Sequence, residues 1–595
     1  MTLLNKSAFL LLFLYSVFLA AFCDDIHWNV KDIHFAGNKT FDRAVLIDQM
    51  KLKPERLFSK TSFSMAQLQQ DINSLDSFYR NRGFFQAEIR RSLDFDSTQK
   101  KVSIYLLIDE GIRTELDSLN FVGNILHSDS TLSALINLKR GSILDSSLYS
   151  GAQSKILEFY ASLGRVFARV EYFFEFDQTG KKADLIITVN EGPVVRAGEY
   201  SILGLKTTEE KVIKRELQFD QHEIINAEKM RSSIYNLYAT GLFKLASIIP
   251  IDTQDYHSES DTVTAPILIQ VEEADFFNIQ LGGGYNSFDK WYGAVQLAYK
   301  NLFGLGHKVY LSSRLSSVVF QAQIGYDYPW LFDRDLTGEI SGYIERRNLE
   351  SFKALYQGGL LALNGNIGEK NRYRFFLNYE HTGWFRGQQQ SPEKNNTLLF
   401  GTRFTRDTRD SYLDPGNAFF SFIEAEVAGP SFSNQFYRFK WDIRLYRGLF
   451  GNRLNLSSAL FLGYIHEYGS TSLVPPTELF RIGIDNVRPV RGYVESQVSP
   501  VNKEGEAIGG KFAAVINLFD IRFPILSIFS GEFFVDGGYV WPQASDFSLA
   551  KLRWSVGPGL LLSLPSGIFR IDYGFELKSS FDFTGGWYFG LGHAF

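Results

Sequence analysis

The sequence predicts an all-β membrane barrel of 16 antiparallel strands, preceded by three small α+β repeats. Two observations carry this prediction: a threefold repeat fills residues 24–275, and a period-two alternation of apolar and polar side chains fills residues 276–595. The composition agrees, because 54 Phe, 29 Tyr and 50 Gly are typical of many antiparallel strands joined by glycine turns. The net charge of -5 gives no reason to expect nucleic acid as a partner.

The N-terminus has the pattern of a secretory signal peptide. Lys6 precedes an apolar run from Ala8 to Phe22, and a polar stretch follows. A membrane anchor is the alternative, but this run is shorter than the roughly 20 residues that a helical span needs. We therefore expect residues 1–23 to be a signal peptide. Cys23 is the only cysteine, so no disulfide can form within the chain.

Each of the three repeats contains the same series of motifs. An apolar strand leads into a glycine turn, a later helix ends at an aromatic residue and a glycine, and an alternating strand closes the unit. Glycine is favoured after a helix because it adopts the left-handed conformation at little cost. Each unit is therefore expected to run strand, helix, helix, strand, strand. The turn glycines are Gly37, Gly123 and Gly204, the closing acidic residues are Glu110, Glu191 and Glu272, and the predicted units span residues 24–111, 112–193 and 194–275.

The remaining residues, 276–595, alternate between two faces. Apolar or aromatic side chains interleave with charged ones over residues 437–446, and residues 569–576 repeat the pattern. Alternation alone does not distinguish a membrane barrel from a soluble sandwich, because either face can be the inner one. The signal peptide, about 16 such segments and a chain that ends in a strand favour the barrel. Only a closed barrel lets strands satisfy every backbone group in lipid.

Three turns of the barrel region, together with the repeats, give a resemblance to a known family. Residues 301–306 (NLFGLG), 328–332 (YPWLF) and 407–416 (DTRDSYLDPG) resemble turns of the bacterial outer-membrane assembly factors, the BamA/TamA family, and occur in the same order. The resemblance covers essentially the whole chain after the signal peptide and is closest in layout to TamA. It implies POTRA repeats in the periplasm and a 16-stranded barrel in the bacterial outer membrane.

The most specific similarity is a pair of segments that hold a loop inside the barrel in this family. Residues 490–493 (VRGY) resemble its arginine motif on the sixth extracellular loop, and residues 534–538 (FVDGG) resemble the strand motif that receives it. The resemblance implies that Arg491 pairs with Asp536, since a guanidinium can bind a carboxylate through two parallel bonds. Without the family, the two would be an ordinary turn and an ordinary lumen charge. The same motifs supply Gly492, Tyr493, Phe534 and Gly538, and alternation places Asp520 and Arg522 on the inner wall.

One departure from the family pattern lies upstream of this arginine. The family often has two glycines there, whereas Gly483 is followed by Ile484 in this chain. Of the features that the resemblance implies, the path of the loop is therefore the one that the motifs specify least.

The first and last strands of the barrel form a candidate seam. The C-terminal strand resembles the terminal aromatic signal by which outer-membrane barrels are themselves recognised, and the first strand carries three consecutive glycines. Glycines offer few cross-strand contacts and weaken a strand, as a lateral gate requires; a glycine bend for barrel curvature is the alternative. The candidate seam residues are Ile279, Leu281, Gly282, Gly283 and Gly284 on the first strand, and Phe589, Leu591 and Phe595 on the last.

Enzyme motifs are absent or incomplete, so the sequence favours a protein that is not an enzyme. His466 and Glu467 begin a zinc-protease pattern, but Ser470 stands where the second histidine belongs. The segment from Gly557 to Gly559 lacks the third glycine of a nucleotide site. No metal, nucleotide or other cofactor is implied.

The leading functional prediction is an outer-membrane protein assembly or translocation factor. Its partners would be unfolded outer-membrane or secreted proteins, outer-membrane lipid, and periplasmic or inner-membrane accessory proteins. The repeats would bind clients by strand addition, which has low sequence selectivity because it uses backbone pairing. One alternative is a passive porin, against which three soluble repeats and the loop motif argue. Another is a secretion pore dedicated to one exported partner, although such pores usually carry two repeats.

Overall fold

The fold comes from a computed structural model of the chain. The predicted signal peptide and Phe595 lie outside the residues that it describes, as does the side chain of Leu591. The chain divides into two compact units, one of residues up to 203 with 216–236 and 247–270, the other of residues 204–215, 237–246 and those from 271 onward. The described residues are 28–55, 61–136, 138–252, 261–287, 290–349, 352–385, 393–411, 415–429, 434–451, 453–483, 487–526, 528–564, 567–577 and 584–591.

Three small mixed sheets precede the barrel, and each has its third strand in the centre and parallel to its first. The element order is the predicted strand, helix, helix, strand, strand. The first repeat contains β1 (Asn29–Ala36), α1 (Arg43–Asp48), α2 (Met65–Arg80), β2 (Glu88–Asp96) and β3 (Lys101–Asp109). The second contains β4 (Glu115–Val122), α3 (Asp129–Ile136), α4 (Ser146–Ser162), β5 (Arg169–Phe176) and β6 (Lys182–Asn190). The third contains β7 (Val194–Leu203), α5 (Glu210–Lys214), α6 (Ala227–Ala239), β8 (Phe243–Pro250) and β9 (Thr262–Glu273).

The central strand of each sheet supplies one face of the core. Alternate side chains of β3 are buried, and α2 covers them with apolar residues at helical spacing, including Leu68, Ile72 and Leu75. The same alternation recurs on the other two central strands. The buried residues are Val102, Ile104, Leu106 and Ile108 on β3, Ala183, Leu185, Ile187 and Val189 on β6, and Ala265, Ile267, Ile269 and Val271 on β9.

A carboxylate just beyond or at the end of each central strand fixes the glycine turn of its repeat. Glu110 accepts hydrogen bonds from the backbone N–H and the hydroxyl of Thr40, at 2.9 and 2.7 Å, and from the Tyr79 hydroxyl at 3.2 Å. Glu191 accepts a bond from the Tyr160 hydroxyl at 2.8 Å in the second repeat. Burial, together with the neighbouring carboxylate, raises the pKa of both tyrosines above the ordinary value.

The third repeat uses Glu273 for this role, one position after Glu272, the closing acidic residue of the sequence pattern. Backbone N–H groups of residues 206–208 donate to Glu273 at 2.8–3.1 Å, whereas Glu272 pairs with an exposed lysine. Strand alternation explains the difference, because Val271 faces the core and residue 273 lies on the same face. Burial would raise the pKa of Glu273, but these hydrogen-bond donors outweigh it and lower that pKa below 4.5.

Residues 277–591 form one antiparallel sheet of 16 strands that closes almost completely into a barrel, which confirms the predicted strand number. Each strand from β11 to β24 pairs with its two sequence neighbours. The first eight strands are β10 (Phe277–Asn286), β11 (Lys290–Leu302), β12 (His307–Ser316), β13 (Val319–Tyr328), β14 (Leu336–Asn348), β15 (Lys353–Ile367), β16 (Asn371–Phe385) and β17 (Glu393–Asp407). The last eight are β18 (Ala418–Ala428), β19 (Phe436–Leu449), β20 (Leu454–Glu467), β21 (Phe512–Leu526), β22 (Phe529–Trp541), β23 (Arg553–Leu564), β24 (Gly567–Leu577) and β25 (Gly585–Leu591).

The outer face of the barrel is apolar and the inner face carries the charges. On β19, Tyr437, Phe439 and Leu445 are exposed, while the alternate residue Asp442 is fully buried. A soluble sandwich would bury the apolar set instead, so the outward orientation identifies a lipid-facing surface. No helix among the described residues is both long and apolar enough to cross a membrane, and that finding has no bearing on strands. Other exposed apolar residues are Ile279, Leu311, Ile324, Ile340, Leu361, Leu377, Phe400, Ile423 and Leu560.

Candidate functional site: the anchored loop and the barrel seam

The loop between β20 and β21, residues 468–511, packs against the inner wall and is called the lumen loop below. Its residues Phe480, Val487 and Val490 are at most 4% exposed. They belong to one apolar cluster with wall residues that include Phe461 and Val515. Burying each such side chain contributes about 1.5–3 kcal/mol, so this packing alone holds much of the loop in place.

Arg491 of the lumen loop is bound by carboxylates on β22 and β24. Its Nε and Nη2 donate to the two oxygens of Asp536 at 2.6 and 2.9 Å, and its backbone N–H donates to the same carboxylate at 3.2 Å. Its Nη1 donates to Glu532 and, at 3.4 Å, to Asp572. The guanidinium also stacks on Phe534, with Cζ 3.4 Å from the ring centroid. Arg491 therefore has a bidentate partner, two further acceptors and an aromatic face.

These carboxylates are shared with other wall residues. Arg522 donates to Glu532 at 3.1 Å, Arg570 donates to Asp572 at 2.9 Å, and the Asn517 amide donates to Asp536 at 2.6 Å. Three arginines face four carboxyl groups, so the acidic groups outnumber the basic ones by one even with Arg491 in place. We call these residues the anchor cluster: Arg491, Arg522, Arg570, Asp520, Glu532, Asp536 and Asp572.

Sequence reasoning selected Arg491, Asp536, Asp520 and Arg522 but missed the other members of the cluster. Glu532 could have been found, because it lies on the same face of β22 as Phe534 and Asp536. Which lumen charges reach the loop depends on its folded path, which alternation does not give. A β-bulge between Asn517 and Phe519 also matters, because it turns both Asn517 and Asp520 towards the lumen.

Gly492 occupies a place where the loop backbone meets the wall backbone. Its φ is +93°, and a Cβ atom there would lie 2.5 Å from the carbonyl oxygen of Gly574 on β24. A Cβ at Gly574 would lie 2.5 Å from the carbonyl oxygen of Arg491. A Cβ at Gly538 would lie 2.7 Å from a methyl group of Val490. Side chains are therefore excluded on both sides of the contact, and the need for glycine at residue 574 was not visible in the sequence.

Two further bonds attach the lumen loop on different sides of the barrel. The Tyr493 hydroxyl donates to the carbonyl oxygen of Trp554 on β23 at 3.0 Å. On β19, Arg438 donates to Glu478 of the loop at 3.0 Å and also pairs with Glu426 on β18. Sequence reasoning did not select Glu478, because a single loop glutamate carries no sign of its partner.

The seam lies between β10 and β25, which are the two ends of the sheet. Among the described residues, one hydrogen bond joins this part of the seam: the Phe589 N–H donates at 3.0 Å to Oγ of Ser287, the residue that follows β10. The rings of Tyr285 and Phe589 lie 6.1 Å apart. Residues 277–284 of β10 pair with β11 on one side and with no described strand on the other.

The contact at Ser287 also fixes where the other candidate seam residues lie. Ile279 is eight positions before Ser287 on β10, so it does not lie opposite Phe589 or the backbone of Leu591. Ile279 and Leu281 are exposed on the outer face. Gly282, Gly283 and Gly284 continue the edge of β10 and pair with Ala294, Gly293 and Tyr292 of β11.

The NLFGLG turn after β11 contacts residues 204–215, which belong to the same compact unit. Asn301 has a φ of +85° and its amide donates to the Thr208 hydroxyl at 2.9 Å. A Cβ atom at Gly304 would lie 2.4 Å from the carbonyl oxygen of Thr207. Glycine is thus required at residue 304, because the motif closely approaches the turn at residues 206–208. The Glu273 carboxylate binds the backbone of that same turn.

Comparisons with known proteins agree with this architecture. The profile of the Omp85 superfamily domain matches residues 301–595. The POTRA profile, described as a surface antigen variable number repeat, matches residues 29–111 and 115–192. The crystal structure of BamA from Haemophilus ducreyi lacking POTRA domains 1–3 has a TM-score of 0.66 at 16% identity, over 80% of this chain and 99% of that one, which is a likeness of fold.

Relatives are found by sequence as well. The outer membrane protein assembly factor BamA of Nitratidesulfovibrio vulgaris is 23% identical over 576 residues, which cover 93% of this chain and 71% of that protein. A putative outer membrane protein assembly factor of Treponema pallidum is 25% identical over 343 residues, 56% of this chain and 40% of that protein. The chain thus spans less than half the length of the treponemal relative.

Proposed function

This chain belongs to the Omp85 superfamily and is an outer-membrane protein with periplasmic POTRA repeats, and we propose that it assembles or translocates other proteins at the seam of its barrel. The observation that carries the proposal is the edge of β10, where residues 277–284 have no described partner strand beyond β11. Such an edge presents unpaired N–H and C=O groups and serves as a template for another strand. A client strand would add there by backbone pairing.

The glycines of β10 fit this role. Residues 282–284 lack side chains, so they form few cross-strand contacts with whichever strand lies beside them. A client could therefore replace the native neighbour without losing much side-chain packing. The alternative is that these glycines only let β10 bend with the curvature of the barrel, which requires no exchange of neighbouring strands. The experiment below separates the two.

The POTRA repeats offer further edges. Among the residues that the structure describes, β2 of the first repeat pairs with β3 alone and β5 of the second pairs with β6 alone, so each has one edge without a described partner. We propose that unfolded outer-membrane or secreted proteins bind these edges before they reach the barrel, with periplasmic or inner-membrane accessory proteins assisting. Outer-membrane lipid surrounds the apolar outer face. No catalytic step or cofactor enters the proposal.

The anchor cluster is proposed to position the lumen loop during this exchange. Arg491 binds β22 and β24, the second of which is the neighbour of β25, so the loop and one side of the seam form a connected group. A passive porin is not favoured, because a loop packed on the inner wall through an apolar cluster occupies space that a porin leaves to water.

A cysteine pair at Ser287 and Phe589 tests the proposal, since their contact defines the seam. A disulfide there should block assembly of client barrels, and reduction should restore it. The matched control is a pair at Ile279 and Leu297, which are register partners on β10 and β11 and must stay together in any opening of the seam. Unimpaired client assembly with the 287–589 disulfide formed would refute a gate at this seam.

A further inference from the structure

The inner wall formed by β10 to β13 contains a cavity of about 350 Å³. It lies on the lumen side, where Gly282 and Ala294 are register partners and leave the wall without large side chains. Amide and hydroxyl side chains surround this bare area. They are Gln280, Gln296, Ser312 and Gln321, with Arg314 at the same wall.

Four of the polar side chains on this wall form a continuous row across the strands. Gln280 is the register partner of Gln296, Gln296 of Ser312, and Ser312 of Gln323. Register partners on one face of a sheet have Cβ atoms about 5 Å apart, so the row crosses four strands at one level. We call Gln280, Gln296, Ser312 and Gln323 the amide row.

The amide row has hydrogen-bonding capacity that no described residue takes up. The side chains of Gln280, Gln296 and Ser312 form no hydrogen bond with any described residue, while Gln323 donates to the Tyr310 hydroxyl at 3.2 Å. Elsewhere on the inner wall the charged groups bind each other. Examples are Arg374 with Glu339 at 3.1 Å, Lys440 with Glu424 at 2.9 Å and Arg444 with Asp442 at 2.7 Å.

The row begins on β10, whose residues 277–284 have no described partner strand beyond β11. A strand added to β10 by backbone pairing places alternate side chains into the lumen, and one of them lies directly beside Gln280. We propose that the amide row and its cavity bind the lumen-facing polar side chains of a client strand while it is paired to β10. This inference rests on the proposed function and names the chemistry that its site accepts.

The chemistry of the row sets its preference. An amide both donates and accepts hydrogen bonds, so it matches Ser, Thr, Asn and Gln side chains of any sequence. Arg314 lies 4.9 Å from the Tyr292 ring centroid, which gives it an aromatic partner on the same wall. The site therefore selects strands with polar, uncharged residues on one face, the pattern of a membrane strand whose other face is apolar.

The test uses the full-length protein in lipid vesicles and an eight-stranded outer-membrane barrel as client. The client is made in two versions, with either threonine or alanine at the lumen-facing positions of its terminal strand. The variant Gln280→Leu/Gln296→Leu removes the amides while keeping side-chain size. Gln357→Leu on β15 is the control for the substitution itself, because Gln357 is an exposed amide on the outer face of a strand outside the cavity wall. Folding of the client is followed by its altered migration on gels without heating.

We expect the double variant to slow folding of the threonine client by roughly two- to tenfold, the effect of one or two hydrogen bonds, and to leave the alanine client unchanged. Filling the cavity with Gly282→Leu should act in the same direction. This substitution has room for its first carbon, because a Cβ at residue 282 meets only the Ala294 side chain, at 3.9 Å. Equal slowing of both clients, or of neither, overturns the inference.

A cross-link separates this inference from the proposed function. A cysteine at Leu281 reports whether the client strand reaches the edge of β10, and a photoreactive residue at Gln296 reports whether it reaches the row. If the client cross-links to residue 281 but folds at the same rate with and without the amide substitutions, the proposed role of the amide row is refuted and the seam proposal stands. A client that folds normally with no cross-link at either place refutes both.

Discussion

Removal of Arg491 should open the tip of the lumen loop by an amount that follows from its contacts. Arg491→Ala deletes two bonds to Asp536, one to Glu532 and one to Asp572, and leaves four carboxyl groups facing only Arg522 and Arg570. Breaking a buried ion pair costs about 3–5 kcal/mol, because the remaining charges lose their compensation. Arg522 and Arg570 still compensate part of this charge, so we expect the lower end of the range, about 3 kcal/mol. The apolar cluster keeps the rest of the loop in place, and only residues near 490–493 should open.

Asp536→Ala should cost less than Arg491→Ala. Arg491 would keep Glu532 and Asp572, although the Asn517 amide would lose its acceptor. We expect about 2 kcal/mol, from the loss of bonds to a charged group that has other partners. Arg491→Lys should lie between wild type and alanine, since an ammonium cannot bind two oxygens of one carboxylate in the same planar way.

Hydrogen exchange of peptides that contain residues 490–493 measures the opening directly. A loss of about 3 kcal/mol corresponds to exchange faster by roughly a hundredfold, because each 1.4 kcal/mol is a factor of ten. In the double mutant Arg491→Ala/Asp536→Ala the two losses should overlap by at least about 1 kcal/mol. The control cycle combines Arg491→Ala with Glu424→Ala on β18, where Glu424 binds Lys440, and should be additive. Additivity within about 0.5 kcal/mol in the first cycle would show that Arg491 and Asp536 are not coupled.

Three other predictions concern separate contacts. Gly574→Ala should loosen the loop as much as Gly492→Ala in the same exchange experiment, because either Cβ lies 2.5 Å from a backbone oxygen; a silent Gly574→Ala would contradict the close approach. Glu478→Gln should speed exchange near residue 478 but not near Arg491, since it weakens a single bond to Arg438 on another strand. Stabilisation by Glu273 should be complete above pH 4.5 and lost as the pH falls through its lowered pKa, and Glu273→Gln should remove that dependence from the melting curve.

The sequence was sufficient for the architecture because its signals are periodic. Alternation at period two gave the strand number of the barrel, and three copies of one motif series gave the element order of the repeats. Periodicity also distinguishes Glu273 from Glu272, since Val271, two positions before Glu273, is apolar and faces the core. The exact domain boundaries of the repeats stay a prediction.

The candidate site could be predicted only as far as its motifs extend. Motif similarity led to Arg491 and Asp536, which lie 45 positions apart in the chain. Glu532, Asp572 and Gly574 belong to no motif, and their role depends on where the folded loop rests on the wall. Glu478 is a further case, because its partner Arg438 is 40 positions away on another strand. Contacts of this kind follow from the path of a loop. A loop has no periodic pattern of residues from which that path could be predicted.

The attachment of the lumen loop divides the barrel mechanically. Its described hydrogen bonds to the barrel strands fall on β18 to β24, and its apolar cluster extends to Leu399 on β17. By contrast, β10 to β13 carry the glycines, the β10 edge that has no described partner, and the amide row. Buried ion pairs and backbone contacts with the lumen loop therefore stiffen the strands on the side next to β25. The strands β10 to β13 have no such attachment to the loop among the described contacts, so they can deform more easily. An incoming chain would bend β10 to β13 while β18 to β24 stay in place. The energy needed to open the seam would then depend on the stiffness of four strands rather than sixteen. Stiffening substitutions on β10 to β13 would then slow clients without weakening the folded barrel.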